Sequence, residues 1–275
     1  MEKLVITVAP TGAQTTRQDV PTLPMKPEEI ADSVYAAYKA GAAVAHLHMR
    51  DDEGKPTNNF KLFERTVTLI RERCDILINV TTSNPKGMST DEERVSPLAL
   101  LPELCSFNAG SLNSNNFGVV QNSLAYMHRL ARACTEFKVK PEIECFDSAM
   151  IETATRLAQE GLLAKPLLYQ LVLGYRGGGL SATPKNFMFM LDLMPPDSMW
   201  AVVSIGRMNL PFSLLAISLG GHVRVGMEDG KWYRKGVPVS SNAQLVERIV
   251  RMAEELDRPV ATVAEARKIL HLPER

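Results

Sequence analysis

Short apolar runs alternate with amphipathic segments along the whole chain. The runs Lys3–Pro10, Ala43–Arg50, Ile76–Thr82, Leu104–Ser111, Lys140–Phe146, Leu167–Gly174, Met199–Gly206 and His222–Asp229 read as strands. Such near-continuous apolar stretches are expected of parallel strands buried on both faces. The segments between them carry helical spacing. Pro27–Gly41 places Ile30, Val34 and Tyr38 at i, i+4 and i+8 and ends in glycine, a helix with its stop. Phe60–Cys74 is the second helix, and Thr90-Asp91-Glu92-Glu93 opens the third with capping-box spacing. Ser123–Phe137 and Ala149–Gly161 follow, then a sixth helix started by the cap and N1 proline Thr183-Pro184. Leu210–Leu219 is the seventh. Ser241–Leu256 is the eighth, with a box at Ser241 and Gln244, and a short capped helix from Thr262 to Leu270 closes the chain. Eight strand–helix units without a low-complexity linker predict an α/β fold, a single-domain (β/α)8 TIM barrel over residues 1–275 with a short extra C-terminal helix. A doubly wound sheet is the alternative, and the regularity of the units favours closure.

Composition narrows this picture little. The 275 residues suit one such barrel, and 31 basic against 31 acidic residues give a net charge of zero. Bulk electrostatics therefore suggest neither a nucleic-acid nor a membrane-surface partner. Cys74, Cys105, Cys134 and Cys145 show no CxxC spacing and read as reduced thiols. Met1-Glu2-Lys3 runs directly into the first strand without the apolar core of a secretory leader, and no stretch approaches a membrane span. A cytoplasmic protein is expected.

The chemistry begins at Val44-Ala45-His46-Leu47-His48-Met49-Arg50. Strand side chains alternate with period 2, so His46 and His48 share a face. Two of the chain's five histidines fall at this spacing. They read as core histidines satisfied by carbonyls or as ligands of a divalent metal. In a TIM barrel the active site lies at the C-terminal strand ends. Arg50 and Asp51, Asn79, Thr81 and Thr82, Ser106 and Asn108, Glu142 and Glu144, and Arg224, Glu228 and Asp229 gather there. Buried carboxylates are costly unless paired or bound to metal, so ion pairs plugging the mouth compete with a metal site.

The second and eighth strands flank the first, and Glu228 stands four residues after Arg224 on the same face. His46, His48 and Glu228 can therefore converge. Two imidazoles and one carboxylate leave coordination positions open, as catalytic zinc requires, and the same trio suits iron(II). His222 falls at the opposite end of its strand, and His128 and His271 read as surface residues of helices. The glycines of Gly174-Tyr175-Arg176-Gly177-Gly178-Gly179, the helix start at Thr183, and Gly206-Arg207-Met208-Asn209 together suggest a phosphorylated or nucleotide-like ligand. A flexible mouth loop explains the glycines equally well.

Several segments match one family. Pro10-Thr11-Gly12-Ala13, His46-Leu47-His48-Met49-Arg50-Asp51, Asn79-Val80-Thr81-Thr82, Asn108-Ala109-Gly110-Ser111 and the run from Gly220 to Asp229 (GGHVRVGMED) resemble the β-keto acid cleavage enzymes. The resemblance covers essentially the whole chain. It implies a TIM barrel with catalytic Zn2+, a homotetramer, and β-keto acid and acetyl-CoA as partners. The implied reaction is a Claisen condensation followed by a retro-Claisen cleavage, giving acetoacetate and a new acyl-CoA. His46, His48 and Glu228 would bind zinc, and Asp229, oriented and kept ionised by Arg224, would take the α-proton. Thr82 and Ser106 resemble the hydroxyls that hold the substrate, with Asn108 in the same wall. Gly177, Gly178 and Arg207 fall where CoA would lie. Gln14 is uncharged where an acidic residue would suit an ammonium group. Glu142 or Glu144 could supply that negative partner, or pair with an arginine instead. A neutral or weakly polar β-keto acid is therefore expected. A metal-dependent retro-aldolase or hydrolase working without CoA, and a non-catalytic metabolite sensor, are the alternatives.

Overall fold

The computed structural model describes residues 2–84, 87 and 89–273. Eight parallel strands close into a barrel: β1 (Ile6–Val8), β2 (Val44–Leu47), β3 (Leu77–Val80), β4 (Leu104–Asn108), β5 (Lys140–Cys145), β6 (Leu168–Leu173), β7 (Met199–Ser204) and β8 (His222–Val225). Each lies beside its neighbour in sequence, and the ring closes where Thr7 of β1 pairs with Arg224 of β8. The helices are α1 (Pro27–Lys39), α2 (Phe60–Arg71), α3 (Asp91–Val95), α4 (Leu124–Phe137), α5 (Ser148–Gln159), α6 (Pro184–Leu193), α7 (Asn209–Leu219), α8 (Asn242–Glu255) and α9 (Val263–Ile269). The architecture is the (β/α)8 barrel expected from the pattern, with α9 as its extra helix.

The inward face of the ring changes character one step along the strands. Val5, Val44, Leu77, Leu104 and Leu168 form an apolar layer at the bottom, sealed from below by Ala266 of α9 and by Leu270 and Leu272 just after it. Two residues further on, the same face carries Thr7, His46, Asn79, Ser106 and Gln170, all buried. The α9 helix is thus the stopper of the apolar end. The polar layer faces the mouth, where loops are free to supply chemistry.

Local signals explain most boundaries, and the exceptions matter. Reciprocal capping boxes form at Thr90–Glu93 and Thr262–Glu265. At Ser241 only half a box forms: its Oγ accepts from Gln244 N, but the Gln244 amide oxygen accepts from Ser240 N instead. The third helix is one short turn that gives way to a 3-10 segment, Ser96–Leu100, containing Pro97. Ladder pairing is shorter than the apolar runs. His48 lies beyond the end of β2, and Met49–Arg50 instead pairs with Pro56–Thr57 as a hairpin.

The eighth strand also stops early, at Val225 rather than Asp229. A Cβ on Gly226 would come within 1.9 Å of the Ala9 carbonyl oxygen, so the chain presses on β1 there and then turns. Asp229 N and Gly230 N both donate back to Gly226 O. Glu228 therefore reaches the mouth from a turn, not by strand alternation with Arg224. His271 likewise lies in a turn past α9, exposed with φ +47°, and not in a helix.

His222 sits at the sealed end, where its Nδ1 accepts from Val5 N at 3.2 Å. Burial, reinforced by the nearby Arg258 charge, pushes its pKa from 6.5 down to about 3. Folded His222 thus stays neutral while an unfolded chain protonates it below about pH 6.5. In that window the unfolded state binds more protons, so stability falls as pH drops, by up to about 1.4 kcal/mol per pH unit from this group. In urea unfolding at about pH 7 and pH 5, His222→Asn, whose amide oxygen still accepts from Val5 N, is expected to lose less stability than the native chain. Equal losses would reject this assignment.

Candidate active site

Arg224 projects from β8 into the polar layer and is 4% exposed. Its Nε and Nη2 donate to the two oxygens of Asp229, each at 3.0 Å. Its Nη1 donates to Glu144 Oε1 at 3.1 Å, and Nη2 also donates to Glu228 Oε1 at 2.5 Å. Glu142 stands in the same layer and accepts from Asn79 Nδ2 at 2.7 Å. Three largely buried carboxylates thus share one guanidinium, and Glu142 is a fourth in the same layer. Burial pushes Glu144 up to about 8 and raises Glu142, with Arg224 opposing both. Glu228 behaves oppositely: burial pushes it up, but Arg224 and the imidazole of His48 outweigh that and hold it well below the usual carboxylate range.

Arg224 aligns the Asp229 carboxylate, while burial outweighs the guanidinium and raises its pKa to about 7. The surplus of negative charge explains the balance, since Glu228 adds repulsion on the same side.

Beside this cluster the two imidazoles of His46 and His48 stand edge to face, ring centres 5.0 Å apart. His48 Nε2 lies 3.4 Å from Glu228 Oε1, and one donor atom from each of His46, His48 and Glu228 falls within 4.8 Å of the others. Burial, then the Arg224 charge, drives His46 well below its ordinary pKa, which leaves the imidazole neutral, the form that ligates metals. His46 Nδ1 and Glu228 Oε2 are buried without a hydrogen-bond partner. Orphaned ligand atoms beside surplus negative charge fit a divalent cation.

Gly12 and Arg50 hold this arrangement, and sequence reasoning gave neither a role. Gly12 adopts φ +65°, and a Cβ there would lie 2.4 Å from Glu228 Cγ. Only glycine lets the first loop rest on that side chain. Arg50, 5% exposed, donates from Nε to Gly12 O at 2.7 Å and from Nη2 to Thr15 O at 2.9 Å, pinning the same loop. A signal for Gly12 existed in Pro10-Thr11-Gly12, where a glycine directly follows a strand. Arg50 stood out only as a charge at the barrel mouth, and its bracing role left no signal because its partners, Gly12 O, Thr15 O and Gly54 O, are carbonyls.

The hydroxyl pair expected to hold substrate is brought together, mostly on itself. Thr82 N donates to Ser106 Oγ at 3.0 Å, and Thr82 Oγ1 donates to Ser106 O at 2.8 Å. The Ser106 hydroxyl hydrogen stays uncommitted, whereas that of Thr82 does not. Arg94, buried over the Tyr126 ring at 3.4 Å, donates to Thr82 O, as does the Tyr126 hydroxyl. Both set the height of Thr82, and nothing in the acidic stretch around Arg94 announced it. Asn108 is 5% exposed with an unpartnered Oδ1, and Gln170 has both amide atoms buried and unpartnered. Gln170 was legible as one polar residue in an otherwise apolar strand.

Gln14 lies at the rim, exposed. Its Nε2 donates to the Tyr175 hydroxyl at 2.6 Å, and its Oε1 accepts from Asn116 Nδ2 at 2.7 Å. It ties three mouth loops together. The glycine loop is packed: a Cβ on Gly177 would meet Asn115 N at 2.6 Å, and one on Gly178 would meet Asn113 O at 2.5 Å. Close approach to the hairpin of Leu112–Ser114 and Gly118–Val120 therefore accounts for these glycines without any ligand. Arg207 is exposed on a single 3-10 turn, Gly206–Met208, whose Gly206 N donates to Asp229 O at 2.7 Å.

Gly12→Ala is expected to weaken Zn2+ binding to chelator-treated protein by about 10- to 100-fold, the range typical of groups that orient a ligand. Calorimetric titration checks this, and an unchanged Kd would reject the role given to Gly12.

Comparison with known proteins places this geometry. A family model described as beta-keto acid cleavage enzyme matches residues 3–272. The 3-keto-5-aminohexanoate cleavage enzyme of Acetoanaerobium sticklandii is 43% identical over 271 residues, 98% of each chain. The 3-oxoadipate:acetyl-CoA acetyltransferase of Cupriavidus necator is 35% identical over 98% of this chain and 95% of its own. Among solved structures, ObcA in ternary complex with a C4-CoA adduct and oxalate superposes with a TM-score of 0.77 at 21% identity, covering 92% of this chain and 68% of its own, a likeness of fold. The motifs around His46, Arg224 and Glu228 thus stand in a chain that belongs to the β-keto acid cleavage enzyme family.

Proposed function

We propose that this chain transfers the acyl part of a β-keto acid to CoA, consuming acetyl-CoA and releasing acetoacetate. The observation that carries the reading is the trio His46, His48 and Glu228, with its orphaned Nδ1 and Oε2 atoms, beside the Asp229 carboxylate. The trio fits Zn2+, which when bound supplies Lewis acidity at the substrate's keto oxygen. Asp229, aligned through both oxygens by Arg224, accepts the α-proton of the keto acid. The resulting carbanion attacks the acetyl carbonyl and the CoA thiolate leaves. The thiolate then attacks the original keto carbonyl, the carbon–carbon bond breaks, and the acetoacetate carbanion takes a proton back. Ser106, whose hydroxyl hydrogen is free, donates to the substrate carboxylate, and Thr82, Asn108, Glu142 and Glu144 complete the wall.

Gln14, uncharged and engaged at both ends of its amide, together with Glu144 on Arg224 and Glu142 on Asn79, supports a neutral or weakly polar substrate. We assign the active form to a homotetramer of single-domain chains in the cytoplasm. Exposed Met188 and Phe189 on α6 and Leu214 and Leu219 on α7 supply an apolar face for contact between copies. The four free cysteines agree with a reducing compartment, and no described helix is long and apolar enough to cross a membrane.

Two measurements test the reading. In steady-state assays over a panel of β-keto acids, turnover is expected to require acetyl-CoA, to yield one acetoacetate per acyl-CoA, and to favour uncharged side chains. Turnover without CoA would reject the reaction, and a clear preference for the 5-amino substrate would reject the specificity. Asp229→Asn is expected to lower kcat by about 10²- to 10⁴-fold with bound metal retained. Near-native kcat would remove Asp229 from the mechanism.

A further inference from the structure

We propose that the hairpin directly after Asp229 holds the nucleotide end of CoA, an adenosine bearing 3′- and 5′-linked phosphates. This rests on the acetyl-CoA reading above. Trp232–Arg234 pairs antiparallel with Val237–Pro238, and the run Lys231-Trp232-Tyr233-Arg234-Lys235 contains three cations and no acid. Trp232 is 62% exposed, a large aromatic surface presented to solvent.

The hairpin is braced from below. Val239 packs with Val20, Leu23 and Met227 in a small cluster under the loops. Tyr233 is fastened to α8: its carbonyl accepts from Arg248, its hydroxyl accepts from Arg251 at 3.1 Å, and the Arg248 guanidinium lies 4.5 Å from its ring centre. Lys231 is neutralised by Asp19 at 2.6 Å. Arg234 and Lys235 are exposed and form no ion pair with any described carboxylate. Arg207, exposed, follows Gly206, whose N–H donates to Asp229 O at 2.7 Å and so ties its loop to the turn from which the hairpin starts.

An indole face with two cations beside it that no carboxylate neutralises, Lys235 and the Arg234 guanidinium resting 5.2 Å from the Tyr233 ring centre, matches a purine carrying phosphates, since base–aromatic stacking and phosphate pairing use those groups. The location matches too. Trp232 follows Glu228 by four residues, at most about 14 Å of chain, so an adenine stacked there leaves the flexible pantetheine arm free to reach the trio. Loops after the seventh and eighth strands are also where barrels of this kind commonly hold phosphate. The glycine loop at Gly177 and Gly178, by contrast, is filled by its own packing.

Titration of the full-length chain with CoA is expected to quench tryptophan emission, with the quench lost in Trp232→Ala and the affinity falling as salt rises. Trp232→Ala and Lys235→Ala are each expected to raise Kd for CoA and KM for acetyl-CoA about tenfold. The preference for acetyl-CoA over acetyl-pantetheine, which lacks the nucleotide, is expected to fall by a similar factor. Quenching by CoA without any acetoacetate formed would support the hairpin site and overturn the activity. Equal CoA affinity in the native chain and both variants would overturn the hairpin site. So would a Trp232→Ala variant that dissociates an oligomer with CoA affinity intact.

Discussion

One guanidinium shared among three carboxylates sets the terms for the rest of this molecule. Arg224 binds Asp229 through two nitrogens and also reaches Glu144 and Glu228, all within the polar layer of a closed barrel. Taking these charges out of water is costly, and removing one partner of such a buried set typically costs about 3–5 kcal/mol. The barrel holds the cluster in place because its members come from three separate elements. Glu144 comes from β5, Arg224 from β8, and Glu228 and Asp229 from the turn beyond it. Even so the charges do not cancel, and the surplus is concentrated beside two imidazoles. A dication at the trio would relieve that surplus where it is greatest.

Main-chain contacts turn this electrostatic demand into geometry. Gly226 lets β8 press against β1 and turn, and Gly12 lets the first loop lie on Glu228. Arg50 then fastens that loop through carbonyl oxygens, spending its charge on backbone. On the other side of the mouth, Arg94 and the Tyr126 hydroxyl meet at the Thr82 carbonyl and so fix the hydroxyl pair. Both buried arginines do the same job. Each converts loops, which are ordinarily mobile, into walls as rigid as the strands beneath them.

How much of this was legible in the sequence depended on range. The barrel was, because eight apolar runs at even spacing have few other closed solutions, and the HxH pair was, because period-2 alternation carries both rings to one face. Glu228 does converge with His46 and His48, but not by the route the sequence suggests. Strand alternation was expected to carry it, whereas a turn does, since the crowding of Gly226 against Ala9 involves residues 217 positions apart. The roles of Arg50 and Arg94 were invisible because their partners are carbonyls, and every residue has one. At Gly177 and Gly178 the sequence reports only that something approaches closely, and the body that does so in the structure is the protein's own hairpin.

Anomalous diffraction from crystals of the purified chain, recorded on either side of the zinc absorption edge, tests the central claim most directly. One peak is expected, bonded to nitrogen atoms of His46 and His48 and to a Glu228 oxygen at about 2.0–2.2 Å. No anomalous density there, in protein that is fully active after rigorous chelation, would contradict a metal-centred barrel.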